Sequence, residues 1–174
     1  YFPENQKDRW GQAALAIEGK IGTFDLTYSG AYFERTAEYT SDYSDYAFLY
    51  DTYYASTPDS FGNNFFDNAG KLINPAQLVT QSEHFTKQSH ELRIASPSSD
   101  RLRLVAGLFY QRQTNNWRNL YIVPGLADSQ SVTGLPGVNY ANIQYRTDRD
   151  YAAFAEAAFD IVPTLTLTAG LRAY

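Results

Sequence analysis

Two stretches of period-two alternation, in which leucine-rich positions alternate with a second set of residues, occur within residues 90–110 and are separated by a short polar segment. Alternation with a period of two is typical of a β-strand whose two faces meet different surroundings. The segment between them, residues 97–100, reads Pro-Ser-Ser-Asp and is rich in turn-forming residues. The pattern therefore predicts a β-hairpin. Its apolar positions are Leu92, Ile94, Leu102, Leu104, Ala106, Leu108 and Tyr110.

Two classes of β protein produce this alternation, and the hairpin alone does not distinguish them. In a soluble sheet the apolar face covers a core and the polar face meets water. In a membrane barrel the apolar face meets lipid and the polar face lines the lumen. The organisation of the remaining chain has to decide between these interpretations.

The same unit, two long strands joined by a tight turn, is predicted three times along the chain. The predicted strands are longer than the five or six residues usual in soluble sheets. Transmembrane barrels combine long tilted strands with short periplasmic turns and long extracellular loops. We therefore predict an all-β fold, a partial wall of an antiparallel transmembrane β-barrel with about six long strands. The hairpins span about 10–38, 84–115 and 151–174, and the long loops span about 39–83 and 116–147.

In such a wall the leucine-rich face is expected to meet lipid, and the charged face is expected to line the lumen. Residues directly opposite each other must share a face. The first turn is therefore predicted to contain an even number of residues, with Glu18 opposite Thr23. The central turn is predicted to contain an odd number, with Ile94 opposite Leu104. The predicted outward residues are Leu92, Ile94, Leu102, Leu104, Leu108, Leu165, Leu167 and Leu171, and the predicted inward residues are Glu91, Arg93, Arg103, Glu156 and Arg172.

The last hairpin is predicted to close with a three-residue turn that pairs Ile161 with Leu165. Counting outward from the turn then places Glu156 opposite Gly170. Arg172 lies one diagonal step from Glu156 on the same face, within reach of a long side chain. We predict a lumenal ion pair between Glu156 and Arg172.

Composition excludes several classes of protein. The net charge is −5 and Lys and Arg are not clustered, which argues against a nucleic-acid partner. No apolar run approaches the roughly 20 residues of a membrane helix. Cys is absent, and Met is absent too, so the sequence is expected to be a processed or internal piece.

Chemistry-bearing motifs are also missing. There is no Gly-x-Ser-x-Gly elbow, phosphate loop or zinc pattern. His84 and His90 are six residues apart without a third ligand at useful spacing, and the acidic residues of the first loop match no calcium loop. We therefore predict no enzyme activity, no catalytic residue, no metal and no cofactor.

Aromatic residues in the two long loops are the candidate ligand contacts. Aromatic faces stack on sugars and planar chelates, and binding residues are common on loops held by a rigid scaffold. An alternative is that these rings pack the loops upon themselves or face the lipopolysaccharide zone of the membrane. The candidates are Tyr50, Tyr53, Tyr54, Phe61, Phe65 and Phe66 in the first loop and Trp117, Arg118 and Tyr121 in the second.

Two segments resemble the barrel hairpins of TonB-dependent outer-membrane receptors. One is Glu-Leu-Arg-Ile-Ala-Ser at residues 91–96 followed by Leu-Val-Ala-Gly-Leu-Phe-Tyr at residues 104–110. The other is Tyr-Ala-Ala-Phe-Ala-Glu at residues 151–156 followed by Leu-Thr-Leu-Thr-Ala-Gly-Leu-Arg at residues 165–172. The similarity covers roughly residues 10–38 and 84–174. These motifs belong to the barrel scaffold and carry no information on the ligand.

The resemblance implies a bacterial outer-membrane location and uptake of a siderophore, cobalamin or oligosaccharide ligand. It also implies outer-membrane lipid as a partner, and TonB as a partner through an N-terminal part of the receptor. A plug domain and a TonB box have no counterpart in this sequence, and six strands are too few to close the family's large barrel. We therefore expect a section of barrel wall. The alternatives are a passive porin-like barrel and a soluble sugar-binding β-sandwich.

Overall fold

Six β-strands form one antiparallel sheet whose spatial order follows the chain order. The computed structural model describes residues 1–54 and 64–174, except for the side chains of Asp51 and Tyr54. The predicted all-β class, with six antiparallel strands, is confirmed. The strands are β1 (Asn5–Ile21), β2 (Phe24–Asp42), β3 (Leu78–Ala95), β4 (Leu102–Ile122), β5 (Val138–Val162) and β6 (Leu165–Ala173).

One α-helix, α1 (Ser44–Tyr54), and one short 3-10 turn, Asp128–Gln130, lie between strands. The helix is a difference from the sequence interpretation, which placed an aperiodic loop there. Within residues 1–54 and 64–174, no helix is both long and apolar enough to cross a membrane.

Short and long connections alternate along the chain. β1 and β2 are joined by Gly22 and Thr23 alone, a turn of even length as predicted but nearer to β2. Gly22 has φ of +62°, which the tight turns of hairpins require and which glycine adopts without steric cost. β5 and β6 are joined by Pro163 and Thr164. The long connections are residues 43–77 and 123–137.

The second long connection is much shorter than predicted because β4 and β5 extend into it. β4 continues to Ile122 and β5 begins at Val138, whereas the predicted loop covered 116–147. Residues 111–116 read Gln-Arg-Gln-Thr-Asn-Asn, so polar side chains occupy both faces of the strand there. A strand that is polar on both faces has no apolar alternation from which to recognise it.

The chain divides into two compact units, each assembled from three stretches. Unit 1 comprises Tyr1–Arg9, Arg35–His84 and Asn115–Tyr145, and unit 2 comprises Trp10–Glu34, Phe85–Thr114 and Arg146–Tyr174. Unit 1 contains α1 and both long connections, and unit 2 contains the three short turns. Loop lengths are therefore segregated between the units.

Buried apolar residues are concentrated in unit 1. They lie on its strand ends, on α1 and in the 123–137 connection, and the only one in the described part of unit 2 is Ala152. Unit 2 instead exposes large apolar side chains on its sheet, including Leu108 at 62% and Leu171 at 85%. The buried apolar residues of unit 1 are Ala37, Ala47, Leu120, Val123, Leu126, Ala127 and Val138.

The register of the last hairpin confirms one predicted pairing and corrects another. Glu156 is opposite Gly170, as predicted. Leu165 pairs with Val162 and not with Ile161, so the turn has two residues. A β-bulge between Asp160 and Val162 absorbs the extra residue and keeps Glu156 on the predicted face.

The central hairpin is shifted by two residues from its predicted register. The Ser96 amide donates a hydrogen bond to the Leu104 carbonyl (2.9 Å), whereas Ile94 was predicted to lie opposite Leu104. A shift of two residues moves no side chain to the other face, because the side-chain period is two. The predicted division of residues between faces is therefore unaffected by this correction.

A carboxylate joins three strands of unit 2 close to the short turns. Asp160 on β5 accepts two hydrogen bonds from the Arg103 guanidinium on β4, one of them at 2.7 Å, and one from the Thr166 hydroxyl on β6 (2.6 Å). A bidentate arginine–carboxylate pair fixes geometry more firmly than a single contact. This contact reinforces the register of both β4–β5 and β5–β6.

Asp160→Asn is expected to lower the urea midpoint of unfolding, because the Arg103 guanidinium loses its charged partner. Thr166→Val removes only the neutral donor and is expected to lower the midpoint less. Urea unfolding followed by circular dichroism measures both. A larger loss for Thr166→Val would contradict the assigned importance of the ion pair.

Candidate ligand-binding site

Helix α1 begins with a side-chain turn, and Tyr43 immediately before the helix joins two tyrosines on it. The Asp42 carboxylate accepts hydrogen bonds from the Ser44 amide (2.9 Å) and from the Ser44 hydroxyl. Such turns favour helix starts because they bind backbone donors that the first turn leaves unpaired. Tyr43, Tyr46 and Tyr50 then follow at i, i+3 and i+7, a spacing that places side chains on one side of a helix.

These three rings and two rings from neighbouring strands form what we call the tyrosine cluster: Tyr43, Tyr46, Tyr50, Tyr121 and Tyr140. Along the helix the ring centroids are 4.5 Å (Tyr43–Tyr46) and 4.4 Å (Tyr46–Tyr50) apart. Tyr121 on β4 meets Tyr43 edge-on at 5.2 Å and Tyr140 on β5 edge-on at 5.4 Å. The cluster lies entirely within unit 1.

The face of β4 that carries Tyr121 also carries Asn115, Trp117 and Asn119, since alternate strand residues share a face. The Asn115 side-chain amide donates to Glu83 on β3 (3.0 Å).

Glu83 is one end of a polar network on the strands of unit 1. Glu83 lies 3.8 Å from the Arg35 guanidinium on β2, which binds the Asp8 carboxylate on β1 at 2.6 Å. The network thus links β1 to β4 through side chains alone. Its partly exposed charges lie on the face that also carries the aromatic residues.

Two acceptors on this face have no protein partner. The side-chain oxygens of Asn115 and Asn119 are buried and lack a hydrogen-bond partner within the described residues. Buried acceptors without partners are rare in folded proteins. The exposed parts of the neighbouring phenol rings suit a ligand that combines flat surfaces with hydroxyl groups.

Two phenols of the tyrosine cluster have raised pKa values. Burial raises the pKa of the Tyr43 phenol above its ordinary value, and the neighbouring Tyr121 adds to the effect. Hydrogen bonding to Tyr46 raises the pKa of the Tyr50 phenol. Both phenols therefore remain neutral hydrogen-bonding groups at physiological pH.

Tyr43→Phe is expected to reduce the loss of stability at alkaline pH. Because the folded-state pKa of Tyr43 lies above the ordinary value of 10.0, the unfolded chain releases this proton first. Stability is then lost as the pH rises above about 10, and the Phe variant lacks this contribution. Urea midpoints at about pH 8 and about pH 11 measure the difference.

The control for this titration is Tyr145→Phe, since Tyr145 is 81% exposed. The control variant is expected to lose as much stability as the parent chain between the two pH values. An equal effect of the two substitutions would contradict the role of burial at Tyr43.

The structure assigns different places to the predicted ligand contacts. Tyr50 and Tyr121 are in the tyrosine cluster, and Trp117 is half-buried on the face that carries it. Tyr53 is 70% exposed on α1. Arg118 is exposed and alternates onto the other face of β4. The side chain of Tyr54 and all of Phe61 lie outside the described residues.

These placements correct the predicted setting of several candidates. Tyr50 and Tyr53 lie on helix α1 and not in an irregular loop, because the Asp42 turn starts a helix there. Trp117, Arg118 and Tyr121 lie on β4 and not in the second loop, because β4 extends to Ile122.

Phe65 and Phe66 lie in a small bridged turn that packs on the second long connection. The Phe66 amide donates to the Gln130 side chain (2.7 Å), and the Phe66 carbonyl accepts from the Ala127 amide (2.7 Å). Phe65 accepts from the Ile73 amide (2.9 Å). These residues join the two long connections, and no ring contact described here places them in the tyrosine cluster.

Sequence reasoning missed Tyr43, Tyr46 and Tyr140. The spacing of Tyr43, Tyr46 and Tyr50 was a usable helical signal, with Asp42 as the polar residue before it. Tyr140 had no comparable signal, since it meets Tyr121 only through the pairing of β4 with β5.

Glu156 and Arg172 lie on one face of unit 2, as predicted, but the predicted ion pair between them is not formed among the described residues. The Arg172 guanidinium lies instead over the rings of Phe154 (5.9 Å), Phe109 (5.5 Å) and Tyr174 (4.9 Å). Phe154 is directly opposite Arg172, closer than the diagonal Glu156, and the rings attract the cation.

The described part of the chain contains no group of three or more His, Cys, Asp or Glu residues that could hold a metal ion. His90, one of the two histidines, binds Tyr28 through Nδ1 (2.7 Å). The tyrosine cluster offers aromatic rings for stacking and phenol hydroxyls for hydrogen bonding.

Comparison with known proteins adds no assignment: no protein-family model, no curated protein and no solved structure matches this chain.

Proposed function

We propose that this chain is a section of the barrel wall of a TonB-dependent receptor, which takes up a small-molecule or oligosaccharide ligand across the bacterial outer membrane. The proposal is carried by one observation, the exposure of the leucine-bearing face of unit 2. Leu104, Leu108, Leu167 and Leu171 are between 45% and 85% exposed. An apolar face this large marks a surface that meets another apolar phase.

A soluble sandwich would require a second sheet over these leucines. The described residues form one sheet, and the core of unit 1 involves none of the exposed leucines of unit 2. The segregation of short turns to unit 2 and long connections to unit 1 is the pattern of outer-membrane barrels. Both observations support the membrane wall over the sandwich.

The tyrosine cluster supports a receptor over a passive porin. The stacked phenols form a surface that can hold a flat ligand in a fixed orientation. In the proposed barrel this surface faces the lumen near the extracellular loops, where an imported ligand is first bound.

Uptake by cells that express the complete receptor, of which this chain is the proposed section, tests the proposal. The probes are a labelled ferric siderophore, cobalamin and a labelled maltooligosaccharide, each in cells with and without TonB. We expect the chain in the outer-membrane fraction and TonB-dependent uptake of one probe. Tyr43→Ala combined with Tyr121→Ala is expected to reduce that uptake at least tenfold, whereas Tyr145→Ala is expected to leave it unchanged.

The outcomes separate the three candidate functions. Uptake that does not require TonB would favour the passive barrel. A chain that remains in solution without detergent would favour the soluble sandwich and overturn the membrane assignment.

A further inference from the structure

Four aromatic rings form a row across four neighbouring strands of unit 2. Tyr28 on β2 and His90 on β3 have ring centroids 6.1 Å apart and share a hydrogen bond of 2.7 Å. His90 stacks with Tyr110 on β4 at 6.1 Å, and Tyr110 meets Tyr151 on β5 at 5.1 Å. Because the four rings touch in sequence, they lie on the same face of the sheet.

The face that carries this aromatic row changes from apolar to polar at the row. On β4 the residues on this face between the row and the turn are Leu108, Ala106 and Leu104. Beyond Tyr110 the corresponding residues are Arg112 and Thr114.

The same change occurs on the neighbouring strand β3. Leu92 and Ile94 lie on the turn side of His90, and Gln88 and Thr86 lie on the other side. The Thr86 and Thr114 hydroxyls share a hydrogen bond of 2.6 Å, which confirms that the polar residues of the two strands meet on this face. Aromatic residues at an apolar–polar boundary are typical of a membrane–water interface.

Two arginines lie directly opposite each other in the first polar position beyond the row. On the other face, Gln111 contacts Asp150 (3.0 Å) and Gln113 contacts Asp148 (3.1 Å). Because these two pairs flank Arg112 on β4 and Arg149 on β5, Arg112 lies opposite Arg149. The flanking contacts Tyr110–Tyr151 and Thr86–Thr114 place both arginines on the face of the aromatic row.

Opposed like charges destabilise a strand pair unless a counter-charge lies between them. Within the described residues, neither Arg112 nor Arg149 has an ion-pair or hydrogen-bond partner for its side chain. Gln88, bracketed by the His90–Tyr110 and Thr86–Thr114 contacts, lies opposite Arg112 and adds an amide donor. Three residues with donor groups therefore occupy adjacent positions on this face, where an anion would relieve the repulsion.

We propose that Arg112 and Arg149 clamp a phosphate group of an anionic lipid whose acyl chains lie on the apolar face below the aromatic row. This inference rests on the proposed membrane location. The guanidinium group binds phosphate oxygens in a bidentate manner. Charge complementarity selects the headgroup, and the adjoining apolar surface selects an amphiphile over a free anion.

A groove next to the clamp suits an acyl chain. It has a volume of about 540 Å³, and its lining includes Leu92, Leu108 and Ala153 together with the rings of Tyr110 and Tyr151. The polar end of the groove is the aromatic row, so a lipid seated there has its headgroup beside the arginines. In the proposed orientation this is the outer leaflet, where the phosphorylated lipid is the lipid A part of lipopolysaccharide.

Lipid A binding to the full chain in neutral detergent tests the clamp. The probes are phosphorylated lipid A, dephosphorylated lipid A and inorganic phosphate. The Arg112→Gln, Arg149→Gln double variant is expected to bind phosphorylated lipid A at least tenfold more weakly, and the corresponding double Lys variant less so. The matched control, Arg93→Gln with Arg146→Gln, removes two charges from the other face and is expected to bind like the parent chain.

Thermal unfolding distinguishes a lost ligand contact from a damaged fold. Without lipid A, the double Gln variant is expected to unfold at the same temperature as the parent chain or higher, because the repulsion is removed. With lipid A the order is expected to reverse, since only the parent chain gains stability from binding. A double variant that unfolds at a lower temperature than the parent by the same margin in both conditions would overturn the proposal.

The remaining outcomes distinguish failure of the clamp from failure of the proposed function. Equal binding of phosphorylated and dephosphorylated lipid A, equal loss in the matched control, or displacement of lipid A by millimolar inorganic phosphate would overturn the clamp alone. Failure of the complete receptor, of which this chain is the proposed section, to float with phosphatidylcholine vesicles would overturn the membrane location and the clamp with it.

Discussion

Leu104→Arg is expected to prevent stable insertion of the sheet into a bilayer, at a cost of about 2–4 kcal/mol if Leu104 lies near the midplane. Leu104 is 45% exposed on the leucine-bearing face of unit 2. An arginine at this position would have to leave water for hydrocarbon without a counter-charge. The measurement is the folded fraction of the proposed complete receptor after refolding into phosphatidylcholine vesicles, followed by urea titration.

Val105→Arg is the matched control, because Val105 is adjacent in sequence and points to the other face of β4. That face carries Arg103 and is polar in the proposed lumen, so the control is expected to insert. Equal losses for the two variants would contradict the assignment of lipid and lumen faces. A Leu104→Arg chain that is folded and soluble without detergent would contradict the membrane wall itself.

Gly107→Ala is expected to destabilise unit 2 by about 1–3 kcal/mol through overpacking. A Cβ atom at Gly107 would lie 2.8 Å from the Leu92 carbonyl oxygen and closer still to the Phe154 ring. The ring can rotate away, but the carbonyl belongs to the neighbouring strand and cannot move without disturbing the pairing of β3 with β4. The measurement is the free energy of unfolding from urea titration.

Gly170→Ala is the control for this substitution. At Gly170, also in unit 2, the nearest atoms to an added Cβ are at 3.5 Å and 3.7 Å, an ordinary van der Waals separation. We expect a change near zero. If Gly107→Ala lowers the free energy of unfolding no more than Gly170→Ala does, the prediction is contradicted. The Phe154 ring and the β3 backbone would then move aside without cost.

The strands of unit 2 were predictable because their two faces differ. Leu102, Leu104 and Leu108 alternate with polar or small residues, and the register of the last hairpin places Glu156 opposite Gly170 as parity required. Local alternation is sufficient there because the sequence of each strand shows which of its residues share a face. The β-bulge at Ile161 was not predictable, since either turn length is compatible with the same faces.

The tyrosine cluster was only partly predictable. Tyr50 and Tyr121 were expected as ligand contacts, but their partners Tyr43 and Tyr140 were not. The contact of Tyr121 with Tyr140 depends on where β4 and β5 end, and these ends lie in sequence that is polar on both faces. The helical spacing of Tyr43 and Tyr50 was local and readable, yet the surrounding residues lack an apolar stripe.

The all-β class, the order of hairpins and the division of residues between two faces can be derived from the amino-acid order alone, because they follow from a period of two within each strand. The contacts between side chains of different strands are fixed by the folded sheet. It placed Arg172 over aromatic rings and not beside Glu156, and it set Arg112 opposite Arg149. Such contacts depend on inter-strand register. A register shift by an even number of residues keeps every side chain on the same face, so the period of two does not fix the register.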